Sequence, residues 1–286
     1  MYTTLISVQQ LKDLQTSGKA FMVFDCTGDL MKPEMADALF ATVRIQGAQQ
    51  AHLDRNLSTH GSSAVNGGRH PLPSREEVAT WLGSLGFENQ MQAVVYDRNG
   101  ANYCGRMWWM LKWLGHDAVA VLDGGLQAWE ASGGAVEKGA PAALKPIASK
   151  FELKSALREW VSTEQLAPQV GHPNLTLIDA RAGARYRGEM EPLDPVAGHI
   201  PGALNRPFAE NLGADGFFKS PEVLRAEFEK LLAGRDPATV VHHCGSGVST
   251  VPNILAMEIA GLGITRLYPG SWSEWCNTPG LPCAKG

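Results

Sequence analysis

The sequence lacks the features that direct a chain into a membrane, out of the cell or onto nucleic acid. No apolar run approaches the roughly 18 residues that a membrane-spanning helix needs. The first seven residues contain no basic region followed by an apolar stretch, so no secretory signal is predicted. The formal net charge of the 286 residues is only -4, which argues against nucleic acid or an anionic membrane as a partner. We therefore expect a soluble, cytoplasmic protein.

The sequence also lacks a disulfide framework, a Cys-x-x-Cys pair and a Gly-x4-Gly-Lys phosphate loop. The number of cysteines is odd and they are scattered, which favours a reducing compartment. They are Cys26, Cys104, Cys244, Cys276 and Cys283. Cys276 and Cys283 are close enough in sequence to form a redox pair, although two unrelated thiols are the favoured interpretation. His242 and His243 precede Cys244, but adjacent strand residues point to opposite faces, so neither a metal nor a cofactor is expected.

The most informative segment that is present runs from residue 239 to residue 250. Val240 and Val241 indicate the end of a buried strand, and Cys244 follows within a loop that contains Gly245 and Gly247. The glycines let the loop turn its N–H groups inward, and the helix predicted after it adds a partial positive charge. A thiol in this setting is predicted to be a reactive thiolate rather than a buried structural cysteine.

The chain also contains an internal repeat. Four landmarks recur in the same order, and the second copy follows the first by about 150 residues. The matched pairs are residues 22–25 with 175–179, 44–48 with 199–203, 93–97 with 239–244, and 123–129 with 269–275. At the end of the third matched segment, where the second copy has the candidate reactive residue Cys244, the first copy has Asp97. We therefore predict that only the second copy is catalytically active.

The repeat predicts an α/β fold of two tandem domains, each a mostly parallel sheet flanked by helices. Short apolar strands alternate with amphipathic helices in both copies, the pattern of such sheets. The predicted helices include residues 8–14, 75–85, 106–114 and 221–232. The predicted first domain covers residues 1–135 and the second covers residues 155–286. Between them, residues 136–154 are rich in Gly, Ala and Pro and are predicted to be a linker.

These motifs together resemble the two-domain rhodanese-type sulfurtransferases over essentially the whole chain. The motifs are His199-Ile-Pro-Gly-Ala, Asp123-Gly-Gly-Leu-x-x-Trp129, Gly270-Ser-Trp-Ser-Glu-Trp275, the aspartate at position 97 and the cysteine loop. Within that family, Cys244-Gly-Ser-Gly-Val248 is similar to the 3-mercaptopyruvate sulfurtransferase type, whereas thiosulfate enzymes usually carry basic residues after the cysteine. The resemblance implies a small-molecule donor, 3-mercaptopyruvate with thiosulfate as the alternative. It implies a persulfide on Cys244 and release of pyruvate. The expected acceptor is cyanide, a thiol or a protein thiol such as thioredoxin.

The resemblance also implies roles for individual residues. Arg185 is expected to bind the anionic group of the donor, since its planar guanidinium suits a carboxylate. The residues expected to surround the donor in the loop are Gly245, Gly247, Val248 and Ser249. Ser249 is further predicted to cap the following helix or to contact the cysteine sulfur. Arg181 is predicted to be a structural residue near the strand end.

A catalytic trio is implied by the same resemblance. Ser246, His70 and Asp54 would supply a hydroxyl, a base and an orienting carboxylate that polarise the ketone or protonate the departing enolate. His60 is a competitor for His70. One feature departs from the family: the second arginine usually found nine residues after the first is Asp194 here, and Arg187 is a candidate substitute.

Two other function classes, phosphatases and non-catalytic binding domains, fit the sequence less well than sulfur transfer. Phosphatases that share this domain fold need Cys-x5-Arg, and no arginine follows Cys244 within the loop. A non-catalytic binding domain usually loses the cysteine, as the first copy has, whereas the second copy keeps Cys244 together with Arg185. Both features favour the enzyme.

Overall fold

The computed structural model describes residues 1–140 and 149–286. Their contacts divide the chain into two compact units. The first comprises Met1–Thr59, the described part of Pro73–Leu157, and Asp215–Phe217; the second comprises His60–Leu72, Arg158–Ala214 and Phe218–Gly286. No helix among these described residues is long and apolar enough to cross a membrane.

The first unit is built on a parallel sheet. Its strands are β1 Leu5–Ile6, β2 Phe21–Asp25, β3 Arg44–Ile45, β4 Gln49–Gln50, β5 Gln92–Tyr96, β6 Val119–Leu122 and β7 Val136–Glu137. Five of them pair in the order β1-β6-β5-β2-β4, with every pair parallel. The short strands β3 and β7 pair separately and antiparallel. All five residues of β5 are buried, as expected for a strand with helices on both faces.

Six helices accompany this sheet. They are α1 Val8–Thr16, α2 Met35–Thr42, α3 Leu53–Asn56, α4 Arg75–Ser84, α5 Cys104–Trp113 and α6 Gly125–Ala131. Local sequence fixes where two of them start, because Ser7 and Ser74 each form a capping box with the third helical residue. Leu11 and Leu14 of α1 join the core beneath the sheet. The alternation of strands and helices confirms the predicted fold class.

The loop of the first unit that corresponds to the cysteine loop holds a carboxylate. Asp97 is 2% exposed and follows β5 directly. Its Oδ1 accepts the backbone N–H groups of Asn99 and Ala101 at 2.8 and 3.1 Å, and its Oδ2 accepts those of Tyr103 and Cys104 at 2.8 and 3.0 Å. This loop is therefore an anion cradle filled by its own side chain, and the inactivity of the first copy stays a prediction.

Asp97→Ala is expected to destabilise the protein by about 3–5 kcal/mol, because four backbone N–H groups, three of them in buried hydrogen bonds, lose a charged acceptor. Urea unfolding of the full chain, read as midpoint and m-value, would measure the change. Asp29→Ala is the matched control, since the half-buried Asp29 accepts the backbone N–H groups of Met31 and Lys32 from a similar turn. An equal loss in the two variants would contradict the special role of Asp97.

The second unit is also built on a parallel sheet. Its strands, in the spatial order β11-β10-β8-β9, are β8 Thr176–Asp179, β9 Leu204–Asn205, β10 Val240–His243 and β11 Arg266–Leu267. Its helices are α7 Thr163–Leu166, α8 Gly183–Tyr186, α9 Pro221–Leu232, α10 Val251–Ile259 and α11 Ser271–Trp275. The register of β8 and β10 places Asp179 opposite His243, so both strands end at the same edge of the sheet. Cys244 emerges from that edge, where parallel sheets bind their ligands.

The compact units differ from the continuous ranges predicted from the sequence in one important segment. Residues 60–72 fall within the predicted first domain, yet they pack with the second unit. Both ends of the predicted linker 136–154 pack with the first unit: Val136 pairs with Ile45, and the buried Phe151 stacks on Phe87. The middle of that linker, 141–148, lies outside the described residues.

Candidate active site

The chain around Cys244 is held by the start of α11. Cys244 is 1% exposed; its N–H donates to Ser271 Oγ at 3.1 Å, and its carbonyl accepts from the N–H of Trp272 at 3.0 Å. The next carbonyl, of Gly245, accepts from the N–H of Ser273 at 2.8 Å. The backbone beside the thiol is therefore fixed by three consecutive residues of one helix.

Gly247 meets a strict steric requirement in this loop. Its φ is +76°, and a Cβ at this position would lie 2.4 Å from the carbonyl oxygen of Pro269. Only glycine allows both the left-handed conformation and this close approach. Val248, directly after it, is fully buried. The glycine thus lets the loop turn back toward α10, as its place in the sequence predicts.

The start of α10 differs from one prediction. The helix begins at Val251 with Pro252 in its first turn, where no N–H is required, as expected. Its N-cap is Thr250, and no side chain makes a capping hydrogen bond. The predicted capping role of Ser249 is therefore wrong, because Ser249 lies one residue before the N-cap. Its predicted contact with donor or sulfur stays a prediction.

Ser246 and His70 are brought together in the second unit. The Ser246 hydroxyl lies 2.7 Å from His70 Nδ1, and the two residues are 3% and 9% exposed. These residues are 176 positions apart in sequence, and the segment 60–72 joins them because it packs with the second unit. A hydroxyl in a short hydrogen bond to an imidazole is a route by which a proton can move.

The other two candidates for this trio are Asp54 and His60. Asp54 is the second residue of α3 and belongs to the first unit. Its role as the orienting carboxylate stays a prediction. His60 is exposed and precedes a short 3-10 turn, Gly61–Ser63. The described hydrogen bond to Ser246 comes from His70, which favours His70 over its competitor.

Backbone contacts hold the segment that carries His70. The N–H of Gly67 donates to Glu274 Oε1 at 3.2 Å, and the N–H of Arg69 donates to Ser273 Oγ at 3.0 Å. Gly68, with φ +92°, lies so close to α11 that a Cβ would be 2.8 Å from the carbonyl oxygen of Gly270. The helix that holds the cysteine loop therefore also positions the histidine.

Arg185 extends from α8 toward the cysteine loop. Its Nη2 is 2.6 Å from Glu191 Oε1 and its Nε is 3.2 Å from Glu191 Oε2, which fixes the guanidinium plane. A Cβ on Gly245 would lie 3.5 Å from both terminal nitrogens of Arg185. The predicted anion-binding residue is therefore placed against Gly245, the loop residue that follows Cys244.

Arg69 is the site residue that sequence reasoning missed. Its Nη2 would lie 3.1 Å from a Cβ on Gly245, even closer than Arg185. Asp194, whose side chain is 3% exposed, pairs with Arg69 and lies 3.5 Å from Arg185. Arg187, the substitute considered from sequence, is instead exposed and paired with Glu189. The departure at position 194 was the available signal, because a buried aspartate needs a cation.

A buried charge network lies behind the loop. Arg181 binds Asp179 with Nη2 to Oδ2 at 2.6 Å and stacks on Trp272 at 4.9 Å, which is the structural role predicted for it. Burial alone would raise the pKa of Asp179, but its Coulombic interactions with His243 and Arg181 and the hydrogen bonds from Arg181 hold it below its ordinary value. Burial lowers the pKa of His242 to about 3 and also lowers the pKa of His243.

The described part of the chain contains no disulfide and no cluster of potential metal ligands. All five cysteines are free. Within residues 1–140 and 149–286, no group of three or more His, Cys, Asp or Glu side chains is arranged to hold a metal ion.

Comparison with known proteins shows the family to which the chain belongs. The model of the rhodanese-like domain matches residues 7–132 and again residues 162–278. The chain belongs to the rhodanese family. The two matches agree with the internal repeat, and the resemblance inferred from the motifs is confirmed.

Relatives of this rhodanese are sulfurtransferases. It is 42% identical, over 99% of its own length and 98% of the relative's, to a Pseudomonas aeruginosa protein named "Probable 3-mercaptopyruvate sulfurtransferase". It is 37% identical to the thiosulfate sulfurtransferase of Rattus norvegicus, covering 96% of this chain and 92% of the relative. The solved 3-mercaptopyruvate sulfurtransferase from Leishmania major is 29% identical with a TM-score of 0.83, covering 98% of this chain and 76% of that one. This rhodanese is therefore a sulfurtransferase.

Proposed function

We propose that the protein transfers sulfur from 3-mercaptopyruvate through a persulfide on Cys244, releasing pyruvate. The observation that carries the choice of donor is the 2.7 Å contact between Ser246 and His70. Loss of sulfur from 3-mercaptopyruvate leaves the enolate of pyruvate, which must gain a proton. Loss of sulfur from thiosulfate leaves sulfite, a stable anion that needs none. A buried proton-transfer pair beside the nucleophile is therefore useful only for the keto acid.

The first half-reaction balances with the groups present. The Cys244 thiolate attacks the donor sulfur, so an S–S bond forms and the C–S bond breaks. The electron pair of the C–S bond passes to the departing carbon as the enolate. The proton of the donor thiol leaves the new persulfide and reaches that carbon through Ser246 and His70, giving pyruvate. Arg185 binds the donor carboxylate, and the backbone of Gly245, Gly247, Val248 and Ser249 surrounds the sulfur.

In the second half-reaction an acceptor takes the outer sulfur. Cyanide attacks it, the S–S bond breaks, thiocyanate leaves and the Cys244 thiolate is restored. A thiol, including that of a protein such as thioredoxin, acts in the same way. The two separate steps predict ping-pong kinetics. Five free cysteines support a location in the reducing cytoplasm.

Thiosulfate is the second candidate donor. The observation in its favour is the pair of guanidinium groups, Arg69 and Arg185, beside the loop, which suits a compact dianion. Their carboxylate partners Asp194 and Glu191 offset that charge. We therefore expect thiosulfate to be the weaker donor.

The test compares the two donors side by side with cyanide as acceptor. We expect kcat/KM for 3-mercaptopyruvate to exceed that for thiosulfate by about tenfold or more, a difference of roughly 1.4 kcal/mol in transition-state binding. Thiocyanate and pyruvate should form in equal amounts. A preference for thiosulfate would overturn the proposed donor, and no turnover of either would overturn the function.

A further inference from the structure

The backbone at Arg69 is fixed by the residues that fix the cysteine loop. Its N–H donates to Ser273 Oγ, and the N–H of Ser273 donates to the carbonyl of Gly245. One residue of α11 therefore sets the separation between Arg69 and the loop. Such a shared support is typical of a side chain placed for binding rather than left on a mobile surface.

The two guanidinium groups meet beside the same small residue. A methyl group at Gly245 would come within 3.1 Å of Arg69 Nη2 and within 3.5 Å of Arg185 Nη1 and Nη2. The glycine thus keeps open the space that these cations border. Because Gly245 follows the nucleophile, an anionic group in this space would lie next to the reacting sulfur.

The charges around this space are balanced. Arg185 pairs with Glu191, which also lies 3.3 Å from Arg181, and Arg69 pairs with Asp194; the side chains of both carboxylates are 3% exposed. Asp194 also approaches Arg185 at 3.5 Å. Two arginines without these partners would favour a dianion. When these carboxylates are present, each negative charge of the donor competes with a buried carboxylate for a guanidinium group. A dianion is therefore disfavoured more than a monocarboxylate.

We propose that Arg69 is a second donor-binding residue and that Asp194, by pairing with it, makes the site selective for a monocarboxylate donor over a compact dianion. This inference rests on the proposed sulfur transfer at Cys244. It also explains position 194. The aspartate there stands where the family usually has its second arginine, and it pairs with Arg69, an arginine from a different part of the chain. Arg69 adjoins His70, so one segment supplies both a donor-binding cation and the proton-transfer histidine.

The experiment measures KM and kcat for both donors in Arg69→Gln, Arg69→Lys and Asp194→Asn. Arg69→Gln should raise KM for 3-mercaptopyruvate about 10- to 100-fold with kcat changed less than about threefold, and Arg69→Lys should restore part of the affinity. Asp194→Asn should raise the ratio of kcat/KM for thiosulfate to that for 3-mercaptopyruvate about tenfold. Arg187→Gln is the matched control, because this exposed arginine pairs only with the surface Glu189 among its described ion pairs.

The outcomes separate this inference from the proposed function. Equal KM values in wild type and Arg69→Gln, or an unchanged donor ratio in Asp194→Asn, would overturn the inference while sulfur transfer itself stands. A wild-type enzyme that prefers thiosulfate would overturn the proposed donor, yet the effect of Arg69→Gln on the KM for thiosulfate would still test whether Arg69 binds donor. If Arg69→Gln unfolds, the KM of Arg69→Lys and the ratio of kcat/KM for the two donors in Asp194→Asn test the inference instead.

Discussion

Cys244→Ser is expected to lower sulfur transfer by about 10⁴-fold or more with either donor, because a hydroxyl cannot hold the sulfane sulfur. The substitution changes side-chain volume little, and the backbone contacts of this position to Ser271 and Trp272 do not involve the sulfur. Loss of activity should therefore occur without loss of stability. Steady-state rates with cyanide, together with the mass of donor-treated protein, would show the missing persulfide directly.

Cys283→Ser is the control for this experiment, since that thiol is exposed and far from the loop in sequence. Wild type and Cys283→Ser should each gain the mass of one sulfur atom when treated with donor, and Cys244→Ser should gain none. Turnover that survives in Cys244→Ser, or a persulfide that forms there on another cysteine, would contradict the assignment of the nucleophile.

Much of this fold follows from local sequence. The predicted helix 221–232 is observed at Pro221–Leu232, because Ser220 caps it, Pro221 suits its first position and Leu224, Phe228 and Leu232 recur on one face. The predicted helix 106–114 instead begins at Cys104, since the Asp97 carboxylate accepts the N–H of Cys104 and so extends the start of the helix. Rules based on local sequence predict the start of a helix correctly only when the capping group lies close to that start in the sequence.

The parts of the site that sequence missed depend on distant contacts. Arg69 has no motif of its own, and its placement requires that residues 60–72 pack with residues about 200 positions later. No periodicity or spacing reports such a contact. The sequence shows Asp194 as a departure from the family pattern, but it does not show that Arg69 is its partner. The reason is that an aspartate requires a positive charge nearby, which can come from any position in the chain.

The two copies of the domain show how one loop gives two outcomes. In the first unit, the Asp97 carboxylate occupies the backbone N–H groups of its loop and stabilises them. In the second unit, the residue in the same place is Cys244, whose side chain has no carboxylate to bind the N–H groups of the loop. A single residue at the end of the strand is therefore expected to separate a structural copy from a reactive one.

Ser246→Ala is expected to lower kcat with 3-mercaptopyruvate about 100-fold and to change kcat with thiosulfate less than about threefold. The reason is the proton that only the keto acid requires: without the hydroxyl, His70 has no path to the departing enolate. His70→Asn should have a similar effect. Because the two residues form one hydrogen-bonded pair at 2.7 Å, the double variant should be little worse than either single one.

His60→Asn is the matched control for these variants, because His60 lies in the same segment but is exposed. It should leave both donors unaffected. An equal fall for both donors in Ser246→Ala would mean that the hydroxyl supports the loop instead of moving a proton. The argument for 3-mercaptopyruvate would then fail, because it depends on a proton-transfer pair that distinguishes a departing enolate from a departing sulfite.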